Sequence, residues 1–91
     1  MADVWKKELA KVVASVKDTR EVGELLEALL TPAEHEELAK RWQIVKQLIR
    51  EVPQREIRDK LKASIATVTR GSRELQYGAG TFQKFYKRLR G

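Results

Sequence analysis

Thr31-Pro32-Ala33-Glu34 and Val52-Pro53 bracket one amphipathic run and set its length. The first is a capping box with proline at the first helical position, where a missing N–H removes no helix hydrogen bond. The second is a stop, because the residue before a proline is pushed out of helical geometry. Between them Leu38, Trp42, Val45, Leu48 and Ile49 recur with helical period. The segment reads as a helix over about 32–50, and whatever follows Pro53 must start a new element.

The flanking segments read as helices too. Trp5, Leu9, Val12, Val13 and Val16 predict a helix over 3–17, ending near Lys17-Asp18. Val22, Leu25, Leu26, Leu29 and Leu30 predict another over 20–30, capped by Thr19. After Pro53 come two short helices, about 54–61 and 65–76, joined by Lys62-Ala63-Ser64 with Ser64 as N-cap. Tyr77-Gly78-Ala79-Gly80 reads as a loop, and Thr81 as the cap of a last helix striped by Phe82, Phe85, Tyr86 and Leu89. That stripe, with Trp5 and Trp42, reads as packing or interface rather than a ligand box. There is no repeat and no alternating strand pattern, so the expectation is an all-α subunit of six helices in a single domain, residues 1–91. A chain of this length buries a modest core, which favours a dimer.

Charge is unevenly placed. Residues 1–49 carry a net −1 and residues 50–91 a net +7. A concentrated basic surface attracts polyanions, although charge alone also fits a solvated face without a partner. The chain has no cysteine, which removes disulfides and thiolate metal sites and fits a reducing cytoplasm. No apolar run approaches the ~20 residues that span a bilayer, and no uninterrupted apolar core follows the N-terminal Met1–Lys7 as in a signal peptide. No membrane association is expected.

The two short helices form a helix-turn-helix. A major groove admits one α-helix, whose first residues reach the base edges. Here that helix opens Ile65-Ala66-Thr67-Val68-Thr69-Arg70, with small and hydroxyl side chains that permit close approach. Ile57, Leu61 and Val68 can pin the pair, and Gln54, Arg55 and Arg58 sit on the preceding helix, where phosphates are met. Two positions are unusual for a generic motif. Arg58 stands where a small residue is common, and Lys62 where glycine is favoured for its positive φ. A helical hairpin without a DNA role is the alternative at this point.

Leu30-Thr31-Pro32, Arg41, Ile44-Val45, Leu48, Gln54-Arg55-Glu56-Ile57 and Ile65-Ala66-Thr67-Val68-Thr69-Arg70-Gly71-Ser72, with Leu75, closely resemble the tryptophan repressor family over about residues 25–76. The resemblance implies six helices per subunit and an intertwined homodimer. Its two reading heads would bind successive major grooves of a palindromic double-stranded DNA operator as a transcriptional repressor, with L-tryptophan as corepressor and no other cofactor. Arg58 fits the family's basic residue, whereas Lys62 departs from its glycine. Carried over by position, Arg70 would stack on the indole and pair with the carboxylate, the partner's Arg41 would cover the other indole face, and the partner's Thr31 would approach the carboxylate. Backbone carbonyls of Ala28 and Leu30 would take the ammonium, and Gly71 would leave room for the ring. Ser64, Ile65, Ala66, Thr67 and Thr69 would face DNA, with Gln54, Arg55, Arg58 and Arg73 on phosphates. Glu74 replaces a serine that helps to hold the ammonium, and it could strengthen that hold or pair with Arg70 and close the site. The family's N-terminal arm is longer than the stretch before Trp5, so one set of outer DNA contacts is not expected.

Three other functions compete. A ligand-independent or other-effector regulator of the same fold would follow if Glu74 blocked the site. A chorismate-mutase-like helical enzyme would need a few long helices, which Pro53 and the short segments oppose. His35 is the sole histidine, in a Glu34–Glu37 run that reads as a solvated helix start, and no metal or catalytic constellation accompanies it. A nonspecific nucleic-acid binder would rely on the basic tail alone.

Overall fold

The computed structural model describes residues Met1–Arg90. Among the described residues there are six helices and no strand: α1 (Ala2–Ala14), α2 (Thr19–Leu29), α3 (Pro32–Ile49), α4 (Gln54–Leu61), α5 (Ile65–Tyr77) and α6 (Thr81–Arg90). The all-α expectation holds, with the helices in the expected order. The chain divides into two compact units, residues 1–35 and the chain from Glu36 onward.

In the first unit α1 stops earlier than its apolar period suggests. Ser15 Oγ donates to the Val12 carbonyl at 2.6 Å, and the N–H groups of Ser15 and Val16 reach back only three residues. Such bonds tighten and end the last turn. The cap of α2 is Asp18, not Thr19. The Asp18 carboxylate accepts from the Glu21 N–H and the Glu21 carboxylate accepts from the Lys17 N–H, both at 2.9 Å. An anionic cap also meets the positive end of the helix dipole. Trp5, Leu9, Val12 and Val13 are all exposed on α1, so the packing role read for Trp5 is not met within this chain.

The capping box that opens α3 forms as expected. The Thr31 N–H donates to Glu34 Oε1 at 2.9 Å and the Glu34 N–H to Thr31 Oγ1 at 3.2 Å. The Thr31 N–H, and after it the Thr31 side chain, bond the Glu34 carboxyl and hold it below the usual glutamate range.

The second unit is built on Ile44 of α3, Ile57 of α4 and Val68 of α5, all essentially inaccessible to solvent. Leu48, Val52, Leu61 and Ala63 pack around them. α3 ends in a left-handed residue, Glu51 (φ 63°), with the Val52 N–H bonded to the Gln47 carbonyl and the Glu51 N–H to that of Leu48. This is the Schellman pattern, formed without glycine. α6 starts at Thr81 itself rather than being capped by it, after a turn through Gly80 at φ 79°. Gln83 Nε2 donates to the Leu75 carbonyl at 3.0 Å and ties α6 to α5. Arg50 Nε donates to Tyr86 Oη at 3.2 Å and ties it to the end of α3. That bond leads the causes that lower the Tyr86 phenol below the usual range. Phe82 and Tyr86 are half-buried, while Phe85 and Leu89 are exposed.

Candidate nucleic-acid and ligand interface

The junction of α4 and α5 fixes the direction of α5. Lys62 adopts φ 53° and ψ 42°, the left-handed conformation expected of glycine at this turn, and the Ala63 N–H closes the turn on the Arg58 carbonyl. Ser64 then caps α5 as read from the sequence, accepting from the Thr67 N–H at 3.1 Å. Its hydroxyl also lies 2.8 Å from that of Thr67. Thr69 Oγ1 donates to Gln54 Oε1 at 3.2 Å, a second tie between the helices beyond the buried Ile57 and Val68.

The start of α5 is open to solvent. Ser64, Ile65, Ala66, Thr69 and Arg73 are exposed, as is Arg55 on α4. Gln54, Arg58 and Thr67 are half-buried. The Arg58 guanidinium is 3.0 Å from Asp59, an exposed pairing of small worth that leaves its other nitrogens available. Ser64, Ile65, Ala66 and Thr69 thus share the accessible start of α5, whose Val68 is locked into the core, while Gln54, Arg55 and Arg58 are on α4 and Arg73 lies further along α5.

Beside this pair lies a cavity of about 310 Å³ lined by Arg41, Ile44, Val45, Thr67, Arg70, Gly71, Glu74 and Phe82. Four of these, Arg41, Arg70, Gly71 and Glu74, were read from the sequence as ligand residues. The cavity holds Arg41 of the same chain, where the resemblance had assigned the partner's. Ile44, Val45 and Phe82 supply an apolar wall that the sequence reading gave only to packing. Gly71 brings α5 close to α3: a methyl group there would lie 3.1 Å from Leu48 Cδ1 and 3.9 Å from Ile44 Cγ2. Arg41 is paired along α3 with Glu37 at 3.8 Å, both exposed. Arg70 and Glu74 form no ion pair with each other among the described residues, so the closed form of the site is not the one adopted. The remaining ligand residues belong to the first unit. Ala28 is in the last turn of α2, Leu30 follows that helix, and Thr31 opens α3. Carbonyls in a last helical turn lack intrahelical donors and suit a cation. Thr31 Oγ1 accepts from the Glu34 N–H, and the Thr31 side chain also bonds the Glu34 carboxyl.

An all-helical chain with an accessible helix-turn-helix has the build of a DNA-associated regulator. The chain belongs to the Trp repressor protein family, whose model matches residues 5–90. It is 39% identical over 85 residues to a Trp operon repressor homolog of Mannheimia succiniciproducens, covering 92% of this chain and 83% of that one. It is 43% identical over 75 residues to one from Actinobacillus succinogenes, covering 81% and 73% of the two chains. A homolog from Vibrio campbellii is 36% identical over 86 residues, covering 93% and 85%. No solved structure matches the chain. Family membership makes this chain a transcriptional repressor and not an enzyme, which sets aside the mutase alternative. No described helix is long and apolar enough to cross a membrane.

Proposed function

We propose that the chain is a sequence-specific repressor that binds a palindromic operator as a homodimer in the cytoplasm, with L-tryptophan as corepressor. The observation that carries this is the cavity of about 310 Å³ beside α5. It combines an apolar wall, two guanidinium groups and one carboxylate, the complement of a zwitterion with a large flat apolar side chain. A guanidinium plane stacks on an indole face and forks to a carboxylate. Arg70 takes both roles and Arg41 covers the opposite indole face. A second copy supplies Thr31 and the carbonyls of Ala28 and Leu30.

α5 lines the cavity with Thr67, Arg70, Gly71 and Glu74, and its first residues are the ones that face DNA. An occupant therefore bears directly on the helix that reads bases. Ser64, Ile65, Ala66, Thr67 and Thr69 approach the groove, while Gln54, Arg55, Arg58 and Arg73 meet phosphates and position the head.

The test is binding to the DNA upstream of the protein's own gene, with and without L-tryptophan, beside a random duplex of equal length. Tighter binding to the upstream duplex alone, and only with tryptophan, is the expected result. Equal affinity for both duplexes at every salt concentration would leave a nonspecific binder. Calorimetric titration checks the ligand directly: no heat at millimolar L-tryptophan, with operator affinity unchanged, would leave a ligand-independent regulator.

A further inference from the structure

Glu74 is the one acidic residue lining the cavity, and the same residue lines a second, open depression along α5 formed by Ala66, Thr69, Arg70, Arg73, Tyr77 and Gly78. Ala66, Thr69 and Arg73 are on the face read as contacting DNA. Glu74 therefore stands at the rim between the ligand cavity and the DNA-facing side of the helix. It is exposed and forms no ion pair among the described residues. Its carboxylate lies against Gly78, where a side chain would collide with it. That is the C-terminal end of α5, whose carbonyl groups disfavour a negative charge. An uncompensated carboxylate in this position repels the phosphates that Arg73 and its neighbours attract, and it attracts a cation entering the cavity.

We propose that Glu74 is an electrostatic sensor of the corepressor: unliganded, its charge weakens attraction to DNA, and the ammonium group of the bound amino acid neutralises it. This deepens the reading given under Proposed function and rests on it. L-tryptophan is a zwitterion whose carboxylate goes to Arg70, so the net charge of the subunit is unchanged; ligand binding favours DNA through the local charge at Glu74, independently of any change in the angle of α5. The effect has a salt signature. Repulsion between a carboxylate at the protein rim and phosphates is screened within about 10 Å at 0.1 M salt, so this part of corepression is largest at low salt.

The experiment uses the full chain and its isosteric variant Glu74→Gln, which removes charge and keeps shape. DNA affinity is measured for both across a salt series, with no ligand and with saturating L-tryptophan. Without ligand, Glu74→Gln binds operator and random duplexes roughly threefold to tenfold tighter at low salt, with the advantage shrinking as salt rises. With L-tryptophan the two proteins converge, so the enhancement by ligand is smaller in the variant. Two results overturn the proposal while leaving the corepressor reading intact: equal unliganded affinities at low salt, or an enhancement of the same size in both proteins. Absence of tryptophan binding by the unmodified chain in calorimetry overturns the corepressor reading and the sensor with it.

Discussion

Lys62 shows at residue scale what local strain the head carries. At φ 53° its Cβ crowds the following carbonyl, a cost of roughly 1–2 kcal/mol that glycine avoids. Glycine has more freedom to lose on folding, which returns part of the gain. Lys62→Gly should therefore raise stability by about 0.5–1 kcal/mol, read as a higher urea midpoint with an unchanged slope. A lower midpoint would mean that the lysine side chain makes a contact outweighing the strain. Glu34 offers a pH test with a definite sign. Its carboxyl is held below the usual range by the Thr31 N–H, so the folded-state pKa is depressed. The cap's contribution is present above the unfolded-state pKa and is lost as pH falls through the folded one. An NMR titration should find the Glu34 carboxyl ionising below the ordinary glutamate value, and Glu34→Gln should flatten the acid limb of the stability profile. Unchanged acid sensitivity in that variant would count against the capping box as the cause.

At the scale of elements, the proposed function divides the labour of recognition between α4 and α5. Arg58 is a charged side chain on α4, and Thr67 is a hydroxyl in the first turn of α5. Thr67→Ala should relax specificity by roughly 1–3 kcal/mol at one base pair, and Arg58→Ala should weaken all duplexes alike and flatten the salt dependence by about one charge. Two variants behaving alike on matched and random DNA would remove the distinction. Thr67 shares its hydroxyl with Ser64 and Thr69 shares its own with Gln54, so each also stiffens the head. Elements were legible in the sequence wherever punctuation was strong: Thr31-Pro32, Val52-Pro53 and Ser64 each mark a boundary of the structure. They were less so where two signals competed. Val16 continues the period of α1, but the Ser15 hydroxyl takes the Val12 carbonyl and ends it first. Thr19 is a competent cap, but Asp18 precedes it and is charged. The cavity was half legible. Its charged lining follows from a motif of fixed spacing, whereas Phe82 reaches it from α6 across a turn at Gly80 that sequence period does not orient. The Arg50–Tyr86 bond, between residues 36 apart, left no local trace.

The whole molecule is under-buried as one chain. Among the described residues only Ile44, Val45, Ile57 and Val68 are buried apolar residues, all of them in the second unit, while Trp5, Leu9, Val12, Val13, Leu29 and Leu38 remain exposed. Apolar side chains left facing water, as along α1, weaken a 91-residue fold and invite association. On the proposed homodimer reading, a second copy of the chain would cover the apolar stripe of α1. The proposed dimer would account for the apolar stripe of α1, which nothing in its own unit buries. Two reading heads held at a fixed separation would then match two half-sites one helical turn apart, giving the protein's symmetry a counterpart in the operator. Sedimentation at low micromolar concentration should therefore give about twice the 10.5 kDa chain mass. Leu9→Asp places a charge in the middle of the α1 stripe without touching the core of the second unit, so it should shift the protein towards monomer. It should also cost operator affinity far more than affinity for a single half-site. A Leu9→Asp protein that sediments and binds like the unmodified chain would show that α1 is not the dimer surface. A stable, compact monomer of the unmodified chain at that concentration would remove the dimer altogether.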